Sequence, residues 1–261
     1  MFNLWQHHTL VSNLKRRLGS YFSNRHFGGT VQVMPPLTTN GLVPYPDFPS
    51  LAYESIHRKV RDRWSTTPVH EHFSGAWNAL GYRFHGAVEA GEVFQQSLSK
   101  YGAYPAPAER FQQEQALFSF FSGGFSAFES LFYGMFAIGA FVDSANFSLA
   151  TPRDQQSVTP AQTERSYKKA FPGDPIMAVL GRLFADPDYQ QWREIRNVLT
   201  HRTAPGRLIS VGIGDDDAFP VEWKLNNISL DADLIPDRQR ALARLIGETL
   251  SGVDLFLDQR A

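Results

Sequence analysis

The chain has 261 residues and a formal net charge of -1, so no global field draws it onto nucleic acid, and any contact with RNA or DNA needs a local basic patch. Hydrophobic residues make up 43% of it, an ordinary globular share at a length that can bury a core unaided. It contains no cysteine, which excludes disulfides, thiolate zinc sites, iron–sulfur clusters and a cysteine nucleophile.

Residues 1–49 read as a Pro/Gly-rich N-terminal arm. In MFNLWQHHTLVSNLKRR the basic cluster follows the apolar residues, the reverse of a secretory signal, so a cytoplasmic location is expected. Prolines 35, 36, 44, 46 and 49 preclude a continuous helix, with one short strand expected over residues 30–34. The main domain then spans 50–261. Ser50 is a good N-cap for a first helix ending near Trp64. A second helix is expected from about His70 to Lys100, interrupted near Gly81 or Gly91, and Tyr104-Pro-Ala-Pro breaks the chain.

The third helix should run from about Ala108 to Val142. Between Ala116 and Val142 only Glu129 is charged, and the stretch is long enough to cross a bilayer. Yet Phe118, Phe121, Phe125, Phe128, Phe132 and Phe136 recur in steps of three and four, beside a stripe of Ser119, Ser122, Ser126 and Ser130. A central bundle helix needs such a division, because it meets different partners on different sides. Glu129 would also lie at the costliest depth of a membrane. The reading is therefore a core helix and no membrane.

Residues 143–174 are polar and read mostly as loop, with a short helix over 163–170. A fourth helical region starts at Pro175, is notched at Asp186-Pro187, and ends at Pro205-Gly206. Two strands over 207–213 and 220–228 flank the acidic turn GDDDAF. A last helix over 236–258 repeats Leu242, Leu245, Ile246, Leu250 and Val253 on one face. The expected fold is mainly α, an antiparallel helical bundle with a small β-hairpin appendage.

The chemistry concentrates in WREIRNVLTHRTAPGR, Trp192 to Arg207. At about 100° per residue, Trp192, Ile195 and Leu199 share a core face with Val198 on its flank. Arg193, Arg196, Asn197, Thr200 and His201 lie on the other side. Arg193, Arg196, Arg202 and Arg207 stand against one acid, Glu194, the best local candidate for a phosphate site because guanidinium forks onto phosphate oxygens. His201 comes at the helix C-terminus, where the macrodipole favours a cation that can hold phosphate and donate a proton. If Glu129 is buried it needs a partner, and Arg193 or Arg196 could serve as one; if it reaches solvent it needs none.

Arg196-Asn197-Val198-Leu199-Thr200-His201 resembles the signature of the HEPN superfamily (higher eukaryotes and prokaryotes nucleotide-binding): Arg, a polar residue, three to five further residues, then His. The motif lies late in a helix of a four-helix bundle, and residues 50–260 fit that architecture. The resemblance implies a metal-independent endoribonuclease without a cofactor, acting in toxin–antitoxin or antiviral defence, with an antitoxin or defence-system partner. It assigns catalysis to Arg196, His201 and Asn197 alone; the polar, arginine-rich face of the segment adds Arg193, Thr200, Arg202 and Arg207 as candidate RNA- or phosphate-binding residues, with Glu129 as candidate support. It also implies pooled motifs. Five residues amount to about 140° of rotation and about 7.5 Å of rise, so one Arg–His pair does not converge and a homodimer is expected. Thr203 stands where related toxins often carry a tyrosine, which puts modification by a nucleotidyltransferase partner in doubt. A non-catalytic nucleotide- or RNA-binding or dimerisation module is the alternative.

Other motifs carry less. His70-Glu71-His72 lacks the i, i+4 spacing of a helical metal pair, Asp215 to Asp217 read as a solvated turn, and Gly212-Ile213-Gly214 is half a dinucleotide fingerprint with no helix after it.

Overall fold

A computed structural model describes residues 45–201, 205–209, 221–225 and 228–260, all within one compact unit, Pro36–Ala261. The expected N-terminal strand, Arg202, Thr203 and the acidic turn with Asp215 to Asp217 lie outside the described residues. The described chain is mainly helical, with a small three-stranded antiparallel sheet. In order the helices are α1 (Ser50–Trp64), α2 (Val69–Tyr101), α3 (Pro107–Val142), α4 (Pro152–Ser157), α5 (Pro160–Ala170), α6 (Pro175–Ala185), α7 (Pro187–His201) and α8 (Leu234–Asp258). The strands are β1 (Gly206–Ile209), β2 (Val221–Leu225) and β3 (Ile228–Ser229).

The scaffold is an antiparallel hairpin of α2 and α3. Small residues let the two helices approach. Gly123 lies against Ala87, and Gly134 against Trp77. Helix α2 is unbroken, contrary to the interruption expected near Gly81 or Gly91. Both glycines are buried, and a Cβ on Gly91 would come within 2.7 Å of Ile235 on α8. That glycine serves a close approach, not a helix break. Gly102, with φ 68°, ends the helix in the left-handed region that favours glycine.

Helix α3 is the most buried element. It is long and apolar enough to cross a membrane, but 72% of its most apolar window is covered by the rest of the fold. Phe121, Phe125, Phe128, Phe132 and Phe136 are buried as their spacing implies, while Phe118 is 37% exposed and Phe120 takes the core position. The stripe is thus displaced at its N-terminal end, because α2 and α7 enclose the helix from two sides there.

Helix α1 joins through a reciprocal pair: Tyr53 Oη donates to the Trp77 carbonyl (2.9 Å), and Trp77 Nε1 donates to the Tyr53 carbonyl (3.1 Å). Ser50 is not its cap. Pro49 occupies that position, and Ser50 Oγ, already helical, turns back to the Phe48 carbonyl. Phe48 is buried against Tyr53 and Phe84, so the packed domain begins before residue 50.

Residues 143–174 hold two helices: α5 contains the short helix expected over 163–170, and α4 lies where loop was expected. Thr151 and Thr159 cap α4 and α5, each followed by proline at the first helical position, and Thr151 forms a reciprocal capping box with Asp154. Asp174-Pro175 and Asp186-Pro187 open α6 and α7 in the same way. The expected hairpin is present as β1 and β2 over the described residues, with β3 added on the far side of β2. Helix α8 closes the core with Leu242, Leu245, Ile246, Leu250 and Val253 all buried.

Candidate functional site

Helix α7 is seated by a notch in α3. A Cβ on Gly124 would lie 2.5 Å from the Trp192 ring, so only glycine lets that indole settle between Phe120 and Phe121, at centroid distances of 5.0 and 4.9 Å. Tyr189 packs edge-on against Phe128 at 5.1 Å, and burial pushes its phenol pKa up. With Ile195 and Val198 also buried, and Leu199 half-buried, the core face is the one the spacing gives.

This docking sets Arg196 on the border between core and surface. Its Nη2 donates to Glu129 Oε1 at 3.1 Å and its Nη1 to Asn197 Oδ1 at 3.1 Å. The guanidinium also sits 5.2 Å from the Phe125 ring centroid, in cation–π range. Glu129 is therefore paired with an arginine, and Arg196 is the one. Arginine has five N–H donors, so three remain for another acceptor.

Beyond Arg196 the outward stripe of α7 is open. Gln190, Arg193, Glu194 and Asn197 line a shallow hollow of about 290 Å³. Thr200 and His201 continue the stripe, both exposed. Arg193 and His201 carry no hydrogen bond or ion pair among the described residues. Arg196 turns toward Glu129 while His201 points outward from the last turn, and no contact joins them.

Arg207 does not join this group. Its guanidinium stacks 3.9 Å from the Trp223 ring, and Nη2 donates to Gln113 Oε1 at 2.9 Å. Gln113 and Glu129 are sixteen residues apart on α3, about 24 Å at 1.5 Å per residue. Burial lowers the Arg207 pKa, and its Nε and Nη1 are enclosed without hydrogen-bond partners among the described residues. Closeness in sequence to the motif did not translate into closeness in space.

Gln190 and Phe125 were not singled out from the sequence. Gln190 could have been, since it stands three residues before Arg193 and seven before Asn197 on one helical stripe; Phe125 was visible only as part of the core. No group of three or more His, Asp or Glu side chains is placed to hold a metal among the described residues. No protein-family model, no curated protein and no solved structure matches the chain.

Proposed function

We propose that the protein is a metal-independent endoribonuclease of the HEPN kind, working as a homodimer in toxin–antitoxin or antiviral defence. One observation carries the reading: Arg196 is held by Glu129, Asn197 and Phe125 with three donors to spare, on the helix whose open stripe carries Arg193 and His201. A fixed guanidinium stabilises charge on a phosphate more effectively than a mobile one, because no reorganisation is needed as that charge develops.

In the reaction, the RNA's own 2′-hydroxyl oxygen attacks the adjacent phosphorus and the bond to the 5′-oxygen breaks. Arg196 stabilises the charge on the non-bridging oxygens. Water takes the proton released by the 2′-hydroxyl, His201 protonates the leaving 5′-oxygen, and the exposure of His201 leaves it free to reach a substrate. Asn197 orients Arg196 through its amide oxygen. Because Arg196 and His201 of one chain diverge, the His201 acting beside a given Arg196 comes from the second copy across a two-fold axis. Incubation of the pure protein with total RNA in EDTA, beside a His201→Ala control, tests the reading. Cleavage confined to the wild type supports it, and intact RNA in both counts against it.

The second reading, a binding module without catalysis, draws on the same ion pair. Glu129 partly neutralises Arg196 and lies where a phosphate would approach, which suits holding RNA or a partner chain without cutting. RNA retained but uncut by the wild type favours this reading.

A further inference from the structure

Glu129 faces two ways. Beside Arg196, the helices α2 and α3 and the chain entering α5 form an open cleft of about 440 Å³, lined by Glu129 with Gly75, Ala79, Arg83, Tyr133 and Pro160. Volumes of about 300–1,000 Å³ are usual for small-molecule sites. Three features of the lining identify a ligand chemistry.

The first is an acceptor pair. Glu129 Oε1 receives Arg196, while Oε2 has no hydrogen bond among the described residues. An ionised carboxylate only accepts, with about four lone-pair positions over its two oxygens. It therefore matches an edge with two adjacent N–H donors. Of the four RNA bases, guanine alone presents that edge, through N1–H and the N2 amino group. Adenine and cytosine set an acceptor nitrogen beside their amino group, and uracil sets its single N–H between two carbonyl oxygens.

The second is a flat, fixed wall. Tyr133 shares a 3.2 Å hydrogen bond with His72 Nδ1, which holds its ring in place, and bases stack on such aromatic side chains. Helix α2 lines the cleft with the small residues Gly75, Ala76 and Ala79 beside Arg83, and a Cβ on Gly75 would meet nothing within 4 Å. This stretch of α2 leaves open space for a ring.

The third is a cation without an acid. Arg83 Nη1 donates to the Ser126 carbonyl (3.0 Å) and to Ser130 Oγ. These are neutral acceptors, and Arg83 forms no ion pair among the described residues. Its Nε and Nη2 remain for an anion, and guanidinium favours phosphate.

We propose that this cleft is a guanine-nucleotide subsite. Glu129 pairs with the N1–H and N2–H edge, Tyr133 stacks on the ring, and Arg83 holds the attached phosphate. Resting on the ribonuclease reading, it also makes the cleft the selector of the base next to the phosphate at Arg196, because Glu129 touches both sites.

Separate calorimetric titrations of guanosine, adenosine, cytidine and uridine 5′-monophosphates into the full-length protein test the subsite without requiring cleavage. Guanosine monophosphate should bind about tenfold to a hundredfold more tightly than the others, the usual value of a two-bond base contact. Gly75→Leu fills the cleft from an exposed helical position that tolerates leucine; it should weaken guanosine monophosphate at least tenfold, as should Arg83→Ala, and Glu129→Gln should erase the preference. Melting temperatures identify any variant that fails to fold, in which case the other variants decide. No binding, equal binding of all four nucleotides, or unchanged affinity in folded Gly75→Leu overturns the proposal. RNA cleavage by a protein without guanine preference overturns the subsite and leaves the ribonuclease reading standing. Guanosine monophosphate binding by a protein that cuts no RNA does the reverse.

Discussion

Arg196 illustrates how a half-buried ion pair can organise a site without stabilising the fold. Its side chain is 24% exposed and that of Glu129 38%, so solvent screens the pair, and its contribution to stability is about 1 kcal/mol or less. Arg196→Ala should therefore shift the melting temperature little, and His201→Ala still less, since neither truncation opens a cavity in the core. Each should lower RNA cleavage by about 10²–10³-fold, the usual cost of one preorganised contact to developing charge. Single-turnover cleavage beside thermal melts checks both halves; a variant that loses activity only in proportion to its loss of folded protein would point to a structural role. The face assignment of Arg193, Asn197, Thr200 and His201 was legible in the sequence, because an amphipathic helix carries its own geometry. The position of Arg207 was not. Helix α7 ends at His201 and β1 begins at Gly206, and only the Trp223 and Gln113 contacts reveal that Arg207 lies away from the motif.

Among the elements, α7 depends on two local devices. At the Gly124 notch, Gly124→Ala forces a methyl into the Trp192 ring, an overpacking that typically costs about 1–3 kcal/mol. The melting temperature should fall, and Arg196 should shift from Glu129; unchanged stability would mean that the indole has room to move. At the helix start, Asp186 accepts from the Asp188 amide (2.8 Å) and pairs with Arg244 on α8. Burial opposes the charge of this carboxyl, but the Arg244 hydrogen bonds and the backbone amides outweigh it and hold the pKa below its ordinary value of 3.8. A depressed folded pKa stabilises the protein above the unfolded value and is lost as the pH falls through the folded one. Asp186→Asn should accordingly melt below the wild type at neutral pH, with the gap closing below pH 3.8. A gap independent of pH would assign the effect to geometry alone. Elements with one clear apolar face, α7 and α8, were readable from their spacing. Helix α3 is covered on several sides, so its periodicity could not rank Phe118 against Phe120. The helix at 152–157 was overlooked, and the one at 160–170 was expected only from 163, because their signal is the cap, Thr followed by Pro, more than any apolar repeat.

At the scale of the molecule, the α2–α3 hairpin works as a beam on which α7 and the guanine cleft are mounted from two sides, sharing Glu129. The broad architecture followed from pattern and breaker residues; the cleft did not, since Arg83 joins Glu129 and Tyr133, which lie one turn apart on α3, only when α2 and α3 pair. The account needs a second copy, as the stripe of α7 leaves His201 divergent from its own Arg196. Light scattering at micromolar concentration should give about twice the 29.4 kDa chain mass; a monomer that nonetheless cleaves RNA would remove the shared-site argument. The most direct test of the central claim is the chemistry of the cut ends. Wild-type protein incubated with RNA in EDTA should leave 2′,3′-cyclic phosphate termini and spare DNA, with His201→Ala inactive. RNA left intact across varied substrates, or cleavage abolished by EDTA, would contradict it.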